Sequence, residues 1–153
     1  MSKFETNEKI ADMFSEMADI LDIQEAKWKP RAYRMAERSI RDLNFDLRYI
    51  YRKGGIKALE EIPGIGERLA KKIVEFIETG KIREYNRLAK TIPSGLRKII
   101  EIPGMGPKRS YVLFKKLKIK TINDLKKAIS QHRIMRLKGF GAVSEEKIRK
   151  SLG

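Results

Sequence analysis

Glu61-Ile62-Pro63-Gly64-Ile65-Gly66 and Glu101-Ile102-Pro103-Gly104-Met105-Gly106 carry the same six-residue pattern, and a looser copy, Leu137-Lys138-Gly139-Phe140-Gly141, follows. Glycine tolerates positive φ and lets another group approach the backbone closely. Apolar-Pro-Gly-apolar-Gly between two helical patterns therefore predicts a tight hairpin whose second glycine opens the next helix. The free N–H groups and positive dipole end of that helix form an anion site that needs no particular side chain. A backbone site of this kind suits phosphate and reads no base sequence.

A single Gly-x-Gly is usually an ordinary turn, so repetition carries the inference. The first glycines, Gly64, Gly104 and Gly139, recur at intervals of 40 and 35 residues, and each copy precedes an amphipathic helical pattern. That is the signature of an array of helix-hairpin-helix units. In the third copy Lys138 replaces the proline, and Glu145 and Glu146 are expected to open its helix and repel phosphate. Its expected role is packing.

The 153 residues are 41% hydrophobic and 36% charged, enough to bury a core as one domain or two small ones. A formal charge of +15 points to nucleic acid or an anionic membrane surface. Membrane is the poorer fit: no apolar run approaches the roughly 20 residues of a span, and the cations are spread over every segment. No signal peptide is visible at Met1-Ser2-Lys3-Phe4, and a cytoplasmic setting is expected, nucleoid-associated if the source is prokaryotic. There is no cysteine and His132 is the only histidine, which excludes thiol chemistry, Cys/His zinc sites and histidine triads.

Apolar spacing is helical almost throughout. Ile10, Met13, Phe14, Met17 and Leu21 form one stripe, and Pro30 begins a second helix running through Tyr33, Ala36 and Ile40. Gly54-Gly55 breaks the chain, Gly80 ends the helix after the first hairpin, and Pro93-Ser94-Gly95 is the expected joint between subdomains. Pro107 stands at the first position of the helix after the second hairpin, and Thr121-Ile122-Asn123-Asp124 predicts a capping box. With no alternating β-branched run, the expectation is an all-α chain of two small helical subdomains, residues 1–90 and 91–153.

These residues together resemble the amino-terminal region of the family X DNA polymerases. The resemblance rests on Arg31-Ala32-Tyr33-Arg34, on Ile62-Pro63-Gly64-Ile65-Gly66 continuing into Leu69-Ala70-Lys71-Lys72-Ile73-Val74-Glu75-Phe76, and on Ile102-Pro103-Gly104-Met105-Gly106-Pro107 continuing into Ile119-Lys120-Thr121-Ile122-Asn123-Asp124-Leu125. It implies a lyase domain that binds gapped DNA and removes a 5′-deoxyribose phosphate, followed by a duplex-binding subdomain. The palm is missing: the chain has no Asp-x-Asp pair to hold two metals, so no nucleotidyl transfer is expected. Whether the chain stands alone or is a portion of a polymerase stays open.

By this resemblance Lys72 is the lyase nucleophile, which forms a Schiff base with an abasic aldehyde and drives β-elimination without a metal. Lys71 beside it and Arg68 one turn earlier are expected to crowd it with like charge and favour the neutral amine, with Ile73 and Phe76 as an apolar flank. On composition alone Lys72 is one solvated cation among 35 Lys and Arg, and its motif singles it out. The expected DNA contacts are Lys29, Tyr33, Arg34, Arg68, Lys71, Lys108 and Arg109, with the backbone at Gly64, Gly66, Gly104 and Gly106. Trp28 stands where a family member carries a stacking histidine, and Met35, Glu60, Glu61 and Glu84 fall where it carries lysines.

The resemblance also implies Na+ or K+ at the hairpins, on the carbonyls of Glu60, Ile62 and Ile65 and of Ile100, Ile102 and Met105. The expected partner is gapped, nicked or abasic duplex DNA, as in base excision repair, with a separate polymerase or repair protein as a further candidate. The alternatives are a non-catalytic DNA-binding module, an inactive polymerase fragment, and an RNA-binding or protein-interaction scaffold.

Overall fold

The computed structural model describes residues 3–24, 26 and 29–153. Trp28 lies outside the described residues. Helices account for the regular structure, and no strand occurs among the described residues. None of the helices is long and apolar enough to cross a membrane. The contacts divide the chain into two compact units, Met1–Ala89 and Lys90–Gly153.

In the first unit, α1 (Glu5–Ile23) packs along α2 (Lys29–Arg41). The stripe read from the sequence is the reason: Ile10, Phe14 and Met17 are fully buried with Ala36 and Ile40 of α2. Arg41 fastens the same pair of helices, reaching Glu8, Asp12 and Glu37 at 3.0, 2.8 and 3.1 Å. Next come α3 (Leu47–Glu60) and α4 (Glu67–Thr79), which pack on each other, and then α5 (Arg83–Ala89), which returns to α1. The Gly54-Gly55 break is a kink within α3, where Gly55 adopts φ 70 and ψ −166. Gly80 closes α4 in the left-handed conformation, its N–H bonded to the Phe76 carbonyl at 2.7 Å.

The second unit holds α6 (Ser94–Ile100), α7 (Gly106–Leu117), α8 (Ile122–Ser130) and α9 (Ala142–Ser151) around Leu96, Ile99, Leu113, Leu125, Ile134 and Ile148. Pro93-Ser94-Gly95 is the start of α6, with Pro93 at its N-cap, and the division between the units falls earlier, after Ala89. Thr121 caps α8 by accepting the Asp124 N–H at 3.0 Å, and the Asp124 carboxylate accepts the Lys120 N–H at 3.0 Å. These are the reciprocal bonds expected of Thr-x-x-acid at a helix start, displaced by one residue on the return.

Candidate functional site

All three glycine repeats make one turn. The N–H of Ile65, Met105 and Phe140 bonds the carbonyl three residues earlier, of Ile62, Ile102 and Leu137, at 3.0, 2.9 and 3.0 Å. Gly64, Gly104 and Gly139 hold the third position at φ 84, 82 and 89, which only glycine adopts without strain. The apolar residues on either side are the anchors: Ile62, Ile65, Ile102 and Met105 are all buried. The first two turns are thus pinned by apolar side chains, while Gly64 and Gly104 at their tips stay exposed.

The second glycines differ. Gly66 and Gly141 are extended N-caps of α4 and α9, with φ −93 and −156, and each accepts the first helical bond. Gly106 instead has φ 68 within the first turn of α7. Pro107 explains this, because a residue before proline is disfavoured in the ordinary helical region.

The third copy keeps the turn without the proline. Its backbone reproduces the first hairpin, with proline replaced at no cost to the turn. Glu145 stands in the first turn of α9, as expected, but faces inward: it is 5% exposed and accepts the Met135 N–H at 2.9 Å, with His132 Nδ1 at 2.8 Å from its other oxygen. Glu146 is held by Arg149. A packing role is nevertheless visible, since the Arg109 guanidinium lies 4.4 Å from the Phe140 ring centroid and donates to the Gly104 carbonyl at 3.0 Å. Arg109 therefore ties the second hairpin to the third, and Lys108 stays exposed beside it.

In the first unit a pocket of about 300 Å³ opens beside the first hairpin, between the starts of α2 and α4. Lys29, Tyr33, Gly64, Gly66, Arg68 and Lys72 line it, together with Ala32, Glu67 and Leu69. The proximity follows from packing, not from sequence distance: Gly64 sits so close to α2 that a β-carbon there would touch Met35 Cβ at 3.4 Å. Tyr33 is 7% exposed and edge-on to Phe14, with ring centroids 5.3 Å apart. It is both a core residue and a pocket wall. Burial, with the Glu84 carboxylate, pushes its phenol up to about 12, so it remains a neutral hydrogen-bonding group.

Lys72 is half-buried in this pocket. Burial first, and the like charge of Arg68 next, hold its ammonium below the ordinary lysine range. Glu84 and Glu75 pull the other way and Lys29 adds to the lowering. Lys71 takes no part: it is exposed on the next helical face, 3.1 Å from Glu67. The second cation is Lys29, delivered by α2. Ile73 is fully buried and, with Phe76, lies outside the pocket lining, where Ala32 and Leu69 supply the apolar wall.

Arg34, read as a DNA contact, is elsewhere and already neutralised, bonded to Asp19 at 3.0 Å and to Asp22 at 2.5 Å. Glu84 is bonded to Arg87, and this hydrogen bond, with the nearby charges of Arg87, Lys72 and Lys29, keeps its carboxyl below the usual range despite some burial. For the implied hairpin cation, the carbonyls at the ends of α3 and α6 are of the kind a helix terminus leaves without an intrahelical partner. Ile62 and Ile102 each have one lone pair committed to the turn and a second available. These carbonyl oxygens are of the chemical kind that a hard monovalent ion takes. No cluster of three or more acidic or histidine side chains suited to a metal occurs among the described residues.

Comparison with known families agrees with this geometry. Residues 5–82 match the helix-hairpin-helix domain, and residues 96–153 match the SAM-like helix-hairpin-helix tandem. The chain belongs to the helix-hairpin-helix family. The tandem match takes in the second and third hairpins together, as does the bridge through Arg109. This helix-hairpin-helix chain is also similar to the amino-terminal part of DNA polymerase/3'-5' exonuclease PolX of Bacillus subtilis (strain 168), a family X polymerase. The two are 38% identical over 92 residues, which is 60% of this chain and 16% of that much longer protein.

Proposed function

We propose that this chain binds duplex DNA at gaps and nicks through the backbone N–H groups of its hairpins, and that Lys72 removes 5′-deoxyribose phosphate by Schiff-base β-elimination. The observation that carries the reading is the pocket itself: a half-buried lysine with a disfavoured ammonium, beside a hairpin built for phosphate and flanked by Arg68 and Lys29. A charge of +15 supplies the long-range attraction. Na+ or K+ on the hairpin carbonyls would join the turn to a DNA phosphate.

In the chemical step the neutral Nζ of Lys72 adds to C1′ of the opened abasic sugar, and water leaves to give an iminium. The iminium acidifies C2′. Loss of that proton sends the electron pair through C2′–C3′ and breaks the bond to the 3′ phosphate ester, and hydrolysis of the imine returns the amine. Arg68 and Lys29 are placed to hold the 5′ phosphate, and Tyr33 to donate a hydrogen bond to it.

The pH dependence follows from the charges around Lys72. Borohydride trapping on an incised abasic site should rise with pH as the ammonium loses its proton, and level off below the ordinary lysine range. Arg68→Ala removes a neighbouring positive charge, raises the Lys72 pKa and moves the profile to higher pH. Glu84→Gln removes a charge that stabilises the ammonium and moves it to lower pH. Profiles that coincide for all three proteins would show that Lys72 is not the titrating nucleophile.

Glu84 and Glu75 favour the ammonium and support a second reading, in which Lys72 stays charged and contacts phosphate in a purely DNA-binding module. The absence of any trapped adduct, with duplex affinity intact, would favour it.

The hairpin grip has its own test. Valine at Gly64 or Gly104 would strain the turn and confuse folding with binding, whereas Gly66 has an ordinary φ and no atom within 4 Å of a β-carbon placed there. Gly66→Val costs about 1 kcal/mol of helix capping and otherwise obstructs only what approaches from outside. It should weaken duplex affinity severalfold. Gly141→Val, equally open, should weaken it less, because the buried Glu145 carboxylate lies under that helix start. Equal losses, measured by fluorescence anisotropy at fixed salt, would give the third hairpin equal weight.

A further inference from the structure

The start of α3 carries an exposed pair of aromatic rings that the pocket and hairpins do not use. Phe45 is 57% and Tyr49 45% exposed. Their rings stack, with centroids 5.7 Å apart and planes 17° from parallel, and Lys53 Nζ lies 5.8 Å from the Tyr49 centroid.

This is a fixed arrangement. Asn7, fully buried in α1, donates from Nδ2 to the Phe45 carbonyl at 2.9 Å and accepts the Leu47 N–H on Oδ1 at 2.8 Å. Asp46 caps the helix by accepting the Arg48 N–H at 2.7 Å, and Leu47 is fully buried. Backbone bonds on either side of Asp46 fix the turn that carries Phe45, and the two rings, stacked on each other but still exposed, forfeit part of the burial that normally stabilises them.

The charges around the pair select the occupant. Asp46 is occupied by the helix cap and by the Arg48 guanidinium at 3.2 Å. Arg52 and Lys53 are exposed and face no carboxylate among the described residues. A flat π surface rimmed by unpaired cations matches an unpaired nucleobase and its phosphates, since base–aromatic stacking is tolerant of sequence and cations track the strand. A purely apolar protein surface would leave those cations unanswered.

We propose that Phe45 and Tyr49 form a stacking platform for an unpaired base of single-stranded DNA, with Arg52 and Lys53 on the adjoining phosphates. This rests on the DNA-binding reading and adds to it a second surface, apart from the pocket and hairpins, that holds the unpaired strand.

The test compares the full chain on a blunt duplex and on the same duplex with a short single-stranded gap containing 2-aminopurine. The wild-type chain should bind the gapped DNA more tightly and quench the 2-aminopurine. Phe45→Ala combined with Tyr49→Ala should lose about fivefold or more on the gapped DNA, the low end for one stacked base, with blunt-duplex affinity unchanged. Phe45→Trp should keep the quenching, and Phe45→Leu, still apolar but without a ring face, should lose it. Wild-type affinity and quenching in the double variant would overturn the proposal, as would a change in sedimentation with unchanged DNA affinity, which would assign the patch to a second copy of the chain. A wild-type chain that binds neither DNA would overturn the broader reading as well, whereas duplex binding with no dependence on the rings would overturn the platform alone.

Discussion

Lys72→Ala should abolish most borohydride trapping on an incised abasic site while leaving duplex affinity nearly intact. The pocket places one half-buried amine beside the first hairpin, and burial, with the like charge of Arg68, lowers its pKa. Lys71, adjacent in sequence, points away and is engaged by Glu67, so it should not substitute. Lys72→Arg separates the two roles a cation can have here. Arginine keeps the charge but supplies no neutral amine at accessible pH, so trapping should fail while phosphate contact survives. Trapping by Lys72→Ala at the parental level would assign the chemistry to another amine.

Affinity for duplex DNA should fall steeply with salt and show little base preference. Neutralising about four to six phosphates gives a slope of log K against log salt near −4 to −5, or a loss of several hundredfold between about 50 and 200 mM salt. A backbone grip explains the lack of base preference, because hairpin N–H groups meet phosphate oxygens that every sequence presents alike. A flat salt response, or strong preference among duplexes of different sequence, would contradict the hairpin account.

Local features were legible in the sequence because their causes are local. Pro63-Gly64 and Pro103-Gly104 specify a turn within four residues, Gly80 specifies a helix end, and Thr121 with Asp124 specifies a helix start. The pocket was only half legible. Helical spacing correctly sets Arg68 beside Lys72, four residues apart, but Lys29 and Glu84 reach the same lysine from α2 and α5, and only the packing of three helices brings them there. Adjacency made Lys71 look relevant, although consecutive residues lie about 100° apart around a helix.

The partners of charged residues were not legible either. Arg34 belongs to an ion-pair cluster with Asp19 and Asp22, two carboxylates one turn apart on α1, and sequence spacing does not show that α2 lies against them. Glu145 had a usable signal. It stands three residues before the buried Ile148 on α9, so helical period assigns it to the inward face, where the Met135 N–H and His132 meet it.

Reductive trapping of the full chain on an incised abasic duplex, followed by peptide mapping of the adduct by mass spectrometry, tests the assignment of Lys72 most directly. The account predicts one dominant adduct, on Lys72. A duplex-binding protein with no adduct, or with adducts scattered over its exposed lysines, would contradict it.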